Sequence, residues 1–227
     1  MNFPSTSSDP GRATDGKLHS DPISQLSYLA LGDSYTIGEG VEERGRWPML
    51  LAQGLREAGV AIADPRIIAS TGWTTDELSA AMDAAKPLGE WGFVSLLIGV
   101  NNQYRGRDVD DYLGEFTRLL QRTIALANAR ADRVLVLSIP DWGVTPFARA
   151  SGRDLQQIAD ELDACNAAAR EVCAAHGVAF VDITGISRDG GDAPAMLAED
   201  GLHPSVAMHA RWTGAALPVA KALLATA

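Results

Sequence analysis

Cysteine is scarce in this chain, and its placement argues against both disulfide stapling and metal binding. Cys165 and Cys173 are the only two, and they fall in a segment whose apolar spacing predicts a helix. The helical rise between them separates their Cα atoms by roughly 12 Å, whereas a disulfide spans less than about 7 Å. The four histidines, His19, His176, His203 and His209, are scattered and lack metal-ligand spacing. Basic runs are missing as well, and the formal net charge is -10, which argues against a nucleic-acid or anionic-membrane surface. No apolar stretch approaches the roughly 20 residues of a membrane span. The start of the chain, rich in Ser, Asp, Gly and Pro, lacks the apolar region of a signal peptide. These absences predict a disordered polar leader over residues 1–22, one domain over 23–227, and a cytoplasmic protein with no metal or cofactor; an exported form requires that a native signal was replaced. Oligomeric state leaves no mark.

What is present is ordinary globular composition, 46% hydrophobic and 21% charged, over 227 residues, enough to bury one sizeable core. Apolar runs alternate with helical patterns. Tyr28–Gly32, Arg66–Ser70, Phe93–Val100, Val134–Ile139 and Val178–Ile183 read as five strands, the third and fourth being almost wholly apolar. Between them lie helical segments near 46–55, after Thr74, at 109–130 and at 154–175, with a terminal one over 205–225. Thr74 and Glu77 have capping-box spacing, and Gly59 and Gly177 end helices. Strands alternating with helices predict an α/β fold whose five-stranded parallel sheet is covered on both sides.

Polar residues and glycines collect where strands end. Ser34 follows the first strand, Gly72 the second and Asn101 the third, while the Asp200-Gly201-Leu202-His203-Pro204 stretch arrives late. In an open parallel sheet that edge binds ligands. Acyl transfer needs a nucleophile, a base, a group to orient the base and donors for the oxyanion. Ser34 suits the first role and His203 the second, because His19 lies in the leader, His176 precedes a helix-ending glycine and His209 falls inside the terminal helix. Asp200 is near enough in the chain to orient His203. The backbone N–H groups of Ser34 and Gly72 and the Asn101 amide are the oxyanion donors. Asp33 reads as a pin for the turn. Taken singly, each has a plainer reading: a capping serine, a capping or satisfied histidine, a turn glycine, a loop-capping amide.

Together the blocks Gly32-Asp33-Ser34, Gly72, Gly99-Val100-Asn101 and Asp200-Gly201-Leu202-His203-Pro204 resemble, in order, those of the SGNH (GDSL-type) hydrolases, a family of esterases, lipases, thioesterases and carbohydrate deacetylases. The resemblance implies a flavodoxin-like three-layer α/β/α sandwich, with Ser34, Asp200 and His203 as the triad and Ser34, Gly72 and Asn101 as the oxyanion hole. One departure stands out: the family's third block usually reads Gly-x-Asn-Asp, and Asn102 holds the place of that Asp. The expected reaction is hydrolysis of a small-molecule or glycan ester without cofactor, with short acyl chains favoured because no long apolar lid is evident. Alternatives within the family are a carbohydrate O-acetyl esterase or a lysophospholipase or thioesterase.

Two rivals come from elsewhere. The Gly-x-Ser-x-Gly elbow of α/β-hydrolases is absent, since Thr36 stands where its second glycine belongs. A flavin- or phosphate-binding module of the same sheet topology is the other, but it gives Asp200 and His203 no task. Trp47, Trp73, Tyr104, Trp142 and Phe147 fall in or near the loops at the functional edge, where they would line an acyl pocket, stack on a sugar or pack against the core.

Overall fold

A strand buried on both faces can satisfy its backbone only by pairing sideways, and the apolar runs do this. The computed structural model describes Met1 and residues 25–225; the predicted leader, Met1 aside, lies outside the described residues. Strands β1 (Tyr28–Gly32), β2 (Arg66–Ala69), β3 (Phe93–Leu97), β4 (Val134–Leu137) and β5 (Ala179–Val181) form one parallel sheet in the order β2-β1-β3-β4-β5. This is the flavodoxin-like order, with its topological switch between β1 and β3. Gly32 lies opposite both Ala69 of β2 and Leu97 of β3. The three strands therefore end level, and the loops that follow leave the sheet side by side.

The fifth strand is shorter than its apolar run. The Val178 N–H closes the preceding helix on the Cys173 carbonyl at 2.9 Å, and the Ile183 N–H is taken by Ser138 Oγ at 2.8 Å. Both ends of the run are bonded outside the ladder.

The helices are α1 (Ser34–Ile37), α2 (Trp47–Glu57), α3 (Thr75–Ala84), α4 (Val100–Tyr104), α5 (Val109–Leu126), α6 (Pro146–Ala150), α7 (Leu155–Ala175), α8 (Thr184–Arg188) and α9 (Val206–Ala225). Helices α2 and α9 pack on each other as one layer, and α3, α5 and α7 pack in succession as the other, giving the α/β/α sandwich. The capping box at α3 is present, with the Thr74 N–H donating to Glu77 Oε2 at 2.9 Å. Asp154 caps α7 by accepting from the N–H groups of Gln156 and Gln157. Cys165 and Cys173 are free and buried in α7. Burial pushes their thiols up to about 11 and about 12, which keeps them unreactive at neutral pH. Among the described residues no helix is long and apolar enough to cross a membrane.

The end of β1 leaves no room for a side chain. A Cβ at Gly32 would collide with the Thr36 side chain and the Leu97 carbonyl, so glycine is what lets the turn into α1 lie against β3. Gly32→Ala is expected to destabilise the protein by about 1–3 kcal/mol through overpacking; a urea midpoint equal to wild type would contradict this account.

Candidate active site

The site begins where β1 stops. Asp33 adopts a non-helical conformation and its Oδ1 accepts the Tyr35 N–H at 3.0 Å, so it caps α1 as the expected pin. Ser34 is thereby the first residue of α1, where an N–H has no intrahelical partner. Asp33 is fully buried. Burial pushes its pKa up to about 7, against the pull of the Tyr35, Gly99 and Asp33 backbone N–H groups.

From β2 the chain turns through Thr71 and Gly72 into α3. Gly72 has φ +85°, a left-handed backbone that L side chains resist. Thr71 Oγ1 donates to Glu39 Oε2, tying this turn to the loop after α1. From β3 the chain enters α4, where Asn101 Nδ2 donates to the Trp73 carbonyl at 2.9 Å. An amide nitrogen carries two hydrogens, so one remains for a ligand.

The fourth part sits on a loop after α8. Leu197 and Pro204 form an antiparallel bridge, the Ala198 N–H donates to the His203 carbonyl at 2.7 Å, and the Phe147 N–H donates to the Gly201 carbonyl at 3.2 Å. Within this pinned hairpin, His203 Nδ1 and Asp200 Oδ2 are 2.6 Å apart. Asp200 Oδ1 accepts the N–H groups of Leu202 and His203, each at 2.9 Å. Partial burial works against the Asp200 carboxylate, but these bonds, the His203 ring first, hold its pKa below the usual value. The Tyr35 ring lies edge-on to His203, with centroids 6.0 Å apart, and edge-on to Trp212 on its other side.

These loops enclose a cleft of about 210 Å³ lined by Ser34, Gly72, Asn101 and His203, with Tyr35, Thr71, Val100, Leu202 and an aromatic wall of Tyr104, Trp142 and Phe147. Tyr104 and Trp142 meet at 5.3 Å and Trp142 and Phe147 at 6.2 Å. Trp142 Nε1 donates to Gln103 Oε1 at 2.9 Å, and the Arg153 guanidinium stacks 4.3 Å from the Tyr104 ring centre. The arrangement offers a hydroxyl, an imidazole with one nitrogen held by a carboxylate, and amide donors, which together are the parts of an acyl-transfer site.

A family model described as the GDSL-like lipase/acylhydrolase family matches residues 30–211. The chain belongs to that family. It is a carboxylic ester hydrolase, which sets aside the flavin- or phosphate-binding alternative. No curated protein matches it. Among solved structures it is similar in fold to TesA, at 22% identity and TM-score 0.65, covering 87% of this chain and 99% of that one. A lipase/acylhydrolase from Enterococcus faecalis matches at 19% identity and TM-score 0.66, over 87% and 96% of the two chains. Axe2, an acetylxylan esterase from Geobacillus stearothermophilus, matches at 19% and 0.64, over 86% and 94%.

In this GDSL-like hydrolase the predicted residues Ser34, Gly72, Asn101 and His203 share one cleft, with Asp200 bonded behind His203. Two aromatic candidates do not belong to it. Trp47 is fully buried in the core and Trp73 packs against it. Tyr35, Thr71 and Leu202 line the cleft without having been singled out; Tyr35 follows the motif serine and Leu202 precedes the histidine, and that adjacency was the available signal.

Asn102, in the place of the family's usual Asp, is fully buried behind the cleft. Its Oδ1 accepts the Thr75 N–H at 3.1 Å, and its Nδ2 donates to Thr75 Oγ1 at 2.7 Å and to Glu115 Oε2 at 3.2 Å. Arg107 Nη1 in turn meets Glu115 at 3.2 Å and Asp76 at 2.7 Å. The carboxylate of this cluster is thus supplied by Glu115 of α5, and the amide at 102 is what that carboxylate needs. Asn102→Asp is expected to cost about 1–3 kcal/mol by setting two carboxylates together, and Glu115→Gln in the same chain to recover part of it. A double-mutant cycle with no coupling would contradict this.

Asp33 supplies a pH test. An acid whose folded pKa lies above its unfolded value of 3.8 leaves the fold unpenalised below that pH and penalises it as pH rises to about 7. Asp33→Asn keeps an acceptor for Tyr35, so wild type should lose stability relative to this variant over that window. Urea denaturation curves that stay parallel from roughly pH 4 to 8 would refute the assignment.

Proposed function

We propose that this hydrolase cleaves esters of short acyl chains through an acyl-enzyme on Ser34. The observation that carries the reading is the 2.6 Å pair of His203 Nδ1 and Asp200 in the loop that walls the cleft holding Ser34. With Nδ1 engaged, Nε2 is the ring nitrogen left to take the Ser34 proton as Oγ attacks the ester carbonyl. The oxyanion accepts from the Ser34 and Gly72 N–H groups and the second Asn101 Nδ2 hydrogen. Collapse expels the alcohol, which receives the proton from His203, and a water activated by the same imidazole releases the acid and restores Ser34. Asp200 stays ionised throughout, consistent with its lowered pKa.

The small volume of the cleft and its end wall of Trp142 and Phe147 favour an acyl group of few carbons. A second reading within the family is deacetylation of acetylated carbohydrate. It is favoured by Tyr104, which is 39% exposed at the rim and borders an outer groove lined by Gln103, Arg105, Arg153 and Gln157. Planar polar side chains beside an exposed aromatic suit a sugar.

A panel of p-nitrophenyl esters from acetate to palmitate, run beside acetylated xylan, tests both. The highest kcat/KM is expected on the shortest chains, and a maximum at palmitate would overturn the short-acyl assignment. Ser34→Ala is expected to lower kcat by about 10⁴ or more and to abolish fluorophosphonate labelling. Its Tm should stay near that of wild type, because the hydroxyl faces the cleft rather than the core.

A further inference from the structure

Asn101 of α4 and Arg105, the residue that caps the end of α4, hold the Gly72 turn by its carbonyls. Asn101 Nδ2 donates to the Trp73 carbonyl at 2.9 Å, and Arg105 Nη2 donates to the Gly72 carbonyl at 2.6 Å. The Arg105 guanidinium is itself held, its Nη1 donating to Glu77 Oε1 at 3.0 Å and its Nη2 to Glu77 Oε2 at 3.1 Å. Glu77 accepts the Thr74 N–H that caps α3, so the clamp joins α4 to the helix that follows the turn.

Gly72 has no side chain to fix its own backbone; at φ +85° it sits in a turn closed by the long Trp73 N–H to Ser70 carbonyl bond of 3.4 Å, and the side-chain ties add to that hold. Peptide planes are rigid, so fixing the Gly72 carbonyl sets one of its two torsions. Arg105 does this from outside the cleft: it lines the neighbouring groove, and its Nη2 lies 4.0 Å from where a Gly72 Cβ would stand.

We propose that Arg105 is a positioning residue which, with Glu77 behind it, fixes the Gly72 N–H relative to Asn101 so that both donors reach one oxyanion. The proposal rests on the acyl-transfer reading above. A merely structural role predicts little, because the Arg105 and Glu77 side chains are 43% and 39% exposed and such pairs contribute little to stability.

The test measures kcat, KM and the rate of fluorophosphonate reaction at Ser34 for wild type, Arg105→Met and Arg105→Lys, with p-nitrophenyl acetate as substrate. Arg105→Met is expected to lower kcat and the phosphonylation rate together by roughly 10- to 100-fold, with KM and Tm near wild type. Arg105→Lys should recover part of the loss, since an ammonium still donates to the Gly72 carbonyl but loses the fork to Glu77. A kcat unchanged in Arg105→Met, or a raised KM at constant kcat, overturns the proposal while wild-type labelling at Ser34 leaves the acyl-enzyme standing. A wild type that neither turns over nor labels overturns both. Should Arg105→Met fail to fold, Glu77→Gln keeps the α3 cap and weakens the charged fork; lowered kcat at constant KM supports the clamp and unaltered kcat refutes it.

Discussion

The pairing of β1 with β2 on one side and β3 on the other is the constraint from which the site follows. Because Gly32 is in register with both Ala69 and Leu97, three strand ends lie abreast, and each hands the chain to a turn. The first turn delivers Ser34, the second Gly72 and the third Asn101. Their proximity is a property of the sheet ladder, and the ladder is held by strands with no exposed face to β1 or β3. Packing energy far from the cleft thus sets the spacing inside it.

Around that rigid edge the polar side chains are arranged in two tiers. Those in the cleft are few and short. Those behind it are numerous and mutually bonded: Asn102 with Thr75 and Glu115, Arg107 with Glu115 and Asp76, Gln103 with Trp142 and Glu161. Their bonds tie α3, α4, α5 and α7 together beneath the turns. Buried polar groups that are fully partnered resist movement, and a pocket of fixed shape loses less on binding than one that must order itself.

Local pattern was enough to read the alternation of strands and helices, the capping box at Thr74 and the clustering of Ser34, Gly72, Asn101 and His203 at one edge, because each depends on neighbours in the chain or on the single rule that parallel strands end together. What stayed hidden depends on distant pairs. That Glu115 answers for Asn102 could not be seen, since the helical stripe around it shows only which face is apolar. For Trp47 and Trp73, position along the chain leaves cleft lining and core packing both open; an indole goes where volume must be filled, and Trp47 lies in the core with Trp73 packed against it. The shortening of β5 came from Ser138 and Cys173, each of which claims a backbone group at one end of the run.

The hairpin carrying Asp200 and His203 is bonded through its Gly201 carbonyl to Phe147 of α6, the helix that also walls the cleft. The His203 loop and that wall are therefore tied together. A shift of α6 carries the His203 loop with it, whereas Tyr104, at the far end of the same aromatic wall, is tied instead to Arg153. Diversification of substrate range in this scaffold should accordingly run through the Tyr104 end of the wall, with the Phe147 end held by the loop it is bonded to.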